Sequence, residues 1–122
     1  MKLDDIITIL EGRVLTRTGT NDLEIQSCGS ADLMSDVLAF QTEESGLLLT
    51  GLTNQQVIRT AEMANINAIV FVRGKIPPQS TIDLAEELSI PLISCFHSMY
   101  KASGLLYNAG LPDNGVVSIP CR

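Results

Sequence analysis

Apolar positions along this chain follow the helical period first and then alternate between helical and strand-like runs. Leu3, Ile6, Ile7 and Leu10 fall at i, i+3, i+4 and i+7, one apolar helical face that Gly12 closes. A short apolar stretch at Val14 and Leu15, the turn-rich segment Thr16–Asp22 and the alternation at Leu23 and Ile25 predict two short strands, around residues 13–16 and 23–27. Ser30 is the expected N-cap of a short helix running through Leu38, with Asp32 in its first turn.

From about residue 46 the pattern becomes regular. Leu47–Thr50, Ala68–Val72 and Pro91–Cys95 are short runs, apolar at nearly every position, as buried parallel strands are. Between them lie helical patterns. One runs through about residue 64, with Val57, Ala61 and Ala64 on one face and Ile58 beside them. Another spans about Ser80 to Leu88 and turns Ile82, Ala85 and Leu88 inward. Ser98 opens a third, with Met99, Ala102, Leu106 and Ala109 on one side and Gly110 as its stop, and Val116-Val117-Ser118 reads as a last strand. Strand starts at 47, 68, 92 and 116 are 21, 24 and 24 residues apart, each interval holding one helix and two tight connections. Solenoids have periods in this range, but these segments share no repeated signature and three or four units are few for an array. The predicted fold is therefore α/β: a compact, mostly parallel sheet of βα repeats flanked by helices, preceded by an N-terminal helix and two short strands. At 122 residues, the chain is expected to be one domain over 1–122.

Composition narrows the function more than the fold. With three Phe, two Tyr and no Trp, the core must be built from Leu, Ile, Val, Ala and Met. A net charge of −6 supplies no bulk positive field, so neither nucleic acid nor a membrane surface is an expected partner. No apolar run approaches the ~18 residues of a membrane span. Asp4 and Asp5 stand where a signal peptide would begin its apolar core, so a cytoplasmic location is expected. Cys28, Cys95 and Cys121 are odd in number and widely spaced, which excludes a disulfide framework and leaves buried structural thiols as the simple reading. Cys95 and His97 supply two soft ligands, half a zinc site. With Cys28 nearby they would support an alternative function, an adaptor for a redox enzyme with a Cys/His metal site, which metal analysis would separate from a metal-free module.

Ligands of open α/β sheets bind beyond the carboxyl ends of the strands. Three segments are expected to meet there. Thr50-Gly51-Leu52-Thr53-Asn54 is a turn with Thr53 as candidate N-cap, whose helix N–H groups suit an anion. Arg73-Gly74-Lys75 brings two cations, and Cys95-Phe96-His97-Ser98 carries the only histidine. The candidate ligand-binding residues are Thr50, Gly51, Thr53, Asn54, Arg73, Gly74, Lys75 and His97, and a phosphate or carboxylate is the chemistry they fit. The plainer reading leaves Gly51 to turn the chain, Thr53 to cap a helix and the two cations to solubilise a loop. Neither a P-loop nor a G-x-G-x-x-G fingerprint nor a G-x-S-x-G elbow is present. Glu43-Glu44 and Glu86-Glu87 are neighbouring pairs on an expected solvated surface, and Glu86 and Glu87, adjacent on a helix, do not face each other as an acid/base pair would. No catalytic residue and no cofactor is expected.

Leu48-Leu49-Thr50-Gly51, the unit ending in Ile69-Val70-Phe71-Val72-Arg73-Gly74, and Ala85-Glu86-Glu87-Leu88-Ser89-Ile90-Pro91-Leu92-Ile93 together resemble a stand-alone DRTGG domain. Gly12, Ile25 and Asp32-Leu33-Met34 look like its N-terminal half, so the likeness spans about residues 3–111. The signature that names the family is absent as such, with Arg17-Thr18-Gly19 a partial echo. Members are accessory modules in phosphotransacetylases and CBS-domain pyrophosphatases and are similar to the N-terminal domain of HPr kinase/phosphorylase. The resemblance implies a regulatory or assembly module without activity of its own, often self-associating, and brings no ligand with it. Joined to the edge residues above, it gives the expected function: a homodimer that binds a small anionic metabolite or nucleotide at Thr50–Asn54 and Arg73–Lys75. It supplies no catalytic residues. Small free-standing members look like partners of metabolic or redox enzymes in anaerobes, near hydrogenases.

Overall fold

A computed structural model describes residues 1–17, 19–20, 22–39 and 44–113. In chain order the elements are α1 (Leu3–Leu10), β1 (Arg13–Val14), β2 (Ser27–Ser30), α2 (Met34–Ala39), β3 (Gly46–Thr50), α3 (Gln55–Met63), β4 (Ile66–Phe71), α4 (Gln79–Glu87), β5 (Leu92–Ser94) and α5 (Met99–Asn108). The five strands form one sheet in the order β1-β5-β4-β3-β2. Strands β2 to β5 run parallel, and β1 joins β5 antiparallel. The predicted α/β architecture is the one observed.

Both faces of the sheet are covered, which is why β3 and β4 have no polar face to show. Leu47, Leu49, Ala68, Val70 and Ile93 point to the side packed by Leu3, Ile6 and Leu10 of α1 and Ala102 and Leu106 of α5. Leu48, Ile69, Phe71 and Leu92 point the other way, onto Val57, Ile58 and Ala61 of α3 and Leu84 and Ala85 of α4. The two clusters interleave residue by residue along each strand, as the two-residue pleat requires. No helix among the described residues is long and apolar enough to cross a membrane.

Five expectations change. The second short strand lies at Ser27–Ser30 rather than 23–27, and it pairs parallel with β3. Leu23 and Ile25 spend their backbone groups on the N-terminus instead: Leu3 N–H donates to Leu23 O at 2.9 Å and Ile25 N–H to Met1 O at 2.7 Å. Ser30 therefore ends a strand and does not cap a helix, and its hydroxyl shares a 2.8 Å hydrogen bond with Ser103 of α5. Asn54, not Thr53, caps α3, accepting from Val57 N–H at 3.3 Å. The Thr53 carbonyl instead accepts a 2.8 Å bond from the Thr81 hydroxyl. That bond fixes the rotation of α4, so Thr81, Leu84 and Ala85 are buried while Ile82 and Leu88 sit half-buried at the margin. Ala109, expected on the inner face of α5, is exposed. Val116-Val117-Ser118 lies outside the described residues, as do Glu43 and Cys121.

Candidate functional site

Parallel pairing puts the carboxyl ends of β2, β3, β4 and β5 on one edge, and the residues that follow them are Asp32, Gly51, Arg73 and Phe96. The turn after β4 carries the strain. Arg73 is left-handed at φ 59 and Gly74 at φ 68, two consecutive positive values. For a non-glycine residue this conformation costs about 1–2 kcal/mol. The next strand's extension holds it in place: Arg73 N–H donates to His97 O and Gly74 N–H to Cys95 O, each at 2.8 Å. Ser94 Oγ donates to Lys75 O at 3.2 Å and closes the turn from below.

The strained turn delivers the Arg73 guanidinium across the sheet edge to β3. It lies over Gly51, where an added Cβ would collide with Nη2 of Arg73. Only glycine lets the guanidinium lie this close to the backbone. Asp32 completes the cluster. Its Oδ1 accepts from Gly51 N–H at 2.7 Å and from the Thr50 hydroxyl at 3.3 Å, and its Oδ2 stands 3.9 Å from Arg73 Nη2. The Thr50 hydroxyl in turn accepts from Leu52 N–H at 3.2 Å. Both charged side chains are about half exposed, 47% for Arg73 and 45% for Asp32. An ion pair so exposed is worth about 0.2–1 kcal/mol, too little to account for the fold.

The edge thus gathers Thr50, Gly51, Arg73 and Gly74 in direct succession. His97 contributes its backbone carbonyl to the Arg73 turn while its ring is half-buried, and Lys75 stands exposed on the same turn. Asn54 is exposed at the start of α3, and Thr53 is half-buried with its carbonyl engaged by Thr81. Two participants were not foreseen. Asp32 was expected in a helical first turn; it precedes α2 and faces β3 instead. Phe96, 91% exposed, has its ring 3.0 Å from where a Gly74 Cβ would stand. A Phe beside the histidine in an expected loop was the available signal. Gly51→Ala is expected to push the guanidinium away while leaving the sheet intact. A wild-type melting profile together with shifted Arg73 side-chain NMR resonances would show it, and unshifted resonances would contradict it.

The thiols divide by topology. Cys28 on β2 and Cys95 after β5 are separated by β3 and β4, three strand spacings or ~14 Å, so the fold does not gather Cys28 with Cys95 and His97. No cluster of three metal-ligating side chains occurs among the described residues. Burial pushes the Cys28 thiol up to about 12, with the Asp113 charge adding to it. Burial also raises Cys95, opposed by a hydrogen bond from the His97 backbone. Cys28 is half-buried at the cleft beside α5, so its raised pKa is expected to slow alkylation near neutral pH relative to the unfolded chain. The unfolded thiol ionises near its ordinary 9.0 and the folded one only near about 12, so the unfolded chain sheds its proton first. The stability this thiol contributes below pH ~9 is expected to fall as pH rises from there, and Cys28→Ser should flatten that part of the profile.

A separate cleft of about 840 Å³ lies between α5 and the β2 edge, bounded by Ser30, Ser103, Tyr100 and Tyr107 among others. It is distinct from the Arg73 edge.

No family model and no curated protein matches the chain. Among solved structures it is similar to the CBS and DRTGG domains of the regulatory region of Clostridium perfringens pyrophosphatase, complexed with the activator diadenosine tetraphosphate, with TM-score 0.72 and 18% identity. The fold is DRTGG-like. The match covers 93% of this chain and 48% of that one, so the chain spans about half the length of the structure it resembles. The DRTGG-like fold agrees with the likeness in the residues around Thr50-Gly51 and Arg73-Gly74.

Proposed function

We propose that this chain is a non-catalytic regulatory module that binds a small phosphorylated metabolite, a nucleotide foremost, at the Thr50–Asn54 and Arg73–Lys75 edge, and that it acts as a homodimer beside a metabolic enzyme. The observation that carries the reading is the close approach of the Arg73 guanidinium to Gly51, bought with a left-handed Arg73. A planar guanidinium next to a backbone N–H and a hydroxyl is a phosphate-binding set. Apart from the Asp32 carboxylate, the groups assembled there donate hydrogen bonds and positive charge, which suits holding a ligand rather than transforming one. Both described thiols are held toward the protonated form, which disfavours them as nucleophiles. The structural neighbour is a regulatory region complexed with a nucleotide activator, in line with this class of ligand.

Support for self-association comes from α5, where Tyr100 is 91% and Tyr107 71% exposed. At i and i+7 they share one helical face, and exposed aromatics of this kind favour an interface. Replacing both by Glu is expected to convert a dimer into a monomer by light scattering. A wild-type chain that stays monomeric at high concentration would remove this part of the proposal. The ligand is tested by thermal-shift measurements against mono-, di- and triphosphate nucleotides and sugar phosphates. A concentration-dependent rise in melting temperature for one class is expected, and no rise for any of them would contradict the reading.

A further inference from the structure

We propose that the Asp32 carboxylate is an internal anion occupying the phosphate position, which an incoming phosphate group must displace from Gly51. The inference rests on the reading of the Arg73 edge as a phosphate site and goes further by assigning the residue that sets its affinity. A phosphate oxygen at this edge would take the Gly51 N–H, the Thr50 hydroxyl and the Arg73 guanidinium. Asp32 already holds the first two, at 2.7 and 3.3 Å. The third it holds poorly. Its Oδ2 is 3.9 Å from Arg73 Nη2, well beyond the ~2.7–2.9 Å of a charge-assisted hydrogen bond.

The guanidinium is therefore positioned by its backbone and by Gly51, yet is not consumed by its carboxylate neighbour. A tetrahedral phosphate can take the two parallel N–H groups of the fork at short range and can satisfy the Gly51 amide at once. Asp32 opposes this twice, by occupying the amide and by placing a negative charge beside the incoming one. The arrangement is open to exchange because both side chains are half exposed, so water can solvate the carboxylate once it is displaced. Asp32 also sits in the short link between β2 and α2, where displacement requires little rearrangement of the sheet.

The test is calorimetric titration with inorganic pyrophosphate on the full chain, comparing wild type, Asp32→Asn and Asp32→Ser. Both variants remove the charge; Asn keeps an oxygen placed to accept from the Gly51 amide, and Ser, one atom shorter, leaves that amide free. Binding about threefold to tenfold tighter than wild type is expected for Asp32→Asn. That gain should vanish in the Asp32→Asn, Arg73→Ala double variant. Wild type that binds while both single variants bind equally or more weakly would overturn the inference and leave the phosphate reading standing. A gain that survives loss of Arg73 would also overturn it. Absence of binding by wild type and both variants would remove the inference and the phosphate reading together. If Asp32→Asn fails to fold, Asp32→Ser and the wild-type Gly51 amide resonance give the same decision. That resonance is expected to shift on titration and would stay fixed if Asp32 kept its place.

Discussion

Arg73→Ala should abolish ligand-dependent stabilisation while leaving the free protein close to wild type. At a hundredfold excess over Kd, a ligand that binds only the folded state adds about 2.7 kcal/mol, roughly 10 °C in Tm for a domain of this size. Arg73 is the planar cation at the edge, and its removal takes away the bidentate partner and half of the turn's positive charge. The free protein loses only a half-exposed ion pair with Asp32, about 0.2–1 kcal/mol. Its backbone bond to His97 O does not involve the side chain and remains available. Arg73→Lys sharpens the comparison, because a lysine keeps the charge and loses the fork. It should recover only part of the stabilisation. An unchanged Tm rise in Arg73→Ala would place the ligand elsewhere.

Phe71→Ala is expected to cost about 3–5 kcal/mol, out of the ~5–15 kcal/mol by which domains of this size are stable. Phe71 is fully buried, and among the described residues it is the largest of the fully buried side chains. It projects from the end of β4 into the cluster with Ile58, Leu84 and Ala85, where α3 and α4 meet the sheet. Truncation leaves a cavity between the sheet and the two helices, which the Thr81 bond to Thr53 ties together. Urea denaturation of the variant measures the loss. Because Phe71 lies two residues before Arg73, the site should loosen as well, and ligand binding at low temperature would weaken alongside stability. A cost below about 1 kcal/mol would show that this layer is not packed as described.

The part of the fold that could be read from residues alone was the part buried on both faces. Leu47-Leu48-Leu49 and Ile69-Val70-Phe71 have no polar position to disguise them, and regular spacing tied them into βα units. Strand β2 defied the same logic because Ser27-Cys28-Gly29-Ser30 contains no large apolar side chain. It is held by backbone pairing with β3 and by the Ser30–Ser103 bond, neither of which leaves a hydrophobic pattern. The rotation of α4 was similarly hidden, since a hydroxyl reaching a carbonyl 28 residues away fixes it.

The candidate site was half legible for a related reason. Thr50-Gly51 and Arg73-Gly74 stand out as strand-end turns, and the rule for open α/β sheets brings them together. Asp32 reaches Gly51 across 19 residues of sequence and across a strand that the pattern did not reveal in its true place. Once β2 moves to Ser27–Ser30, Asp32 falls at the same carboxyl edge as the others. The missing residue and the misplaced strand are one error.

The most direct test of the phosphate-site reading is amide chemical-shift mapping of the 15N-labelled chain during titration with ADP. The largest changes are expected at Gly51, Arg73, Gly74 and His97, with Asp32 moving in step. Changes confined to Tyr100, Ser103 and Tyr107 on α5, or none at all with any phosphorylated nucleotide, would contradict it.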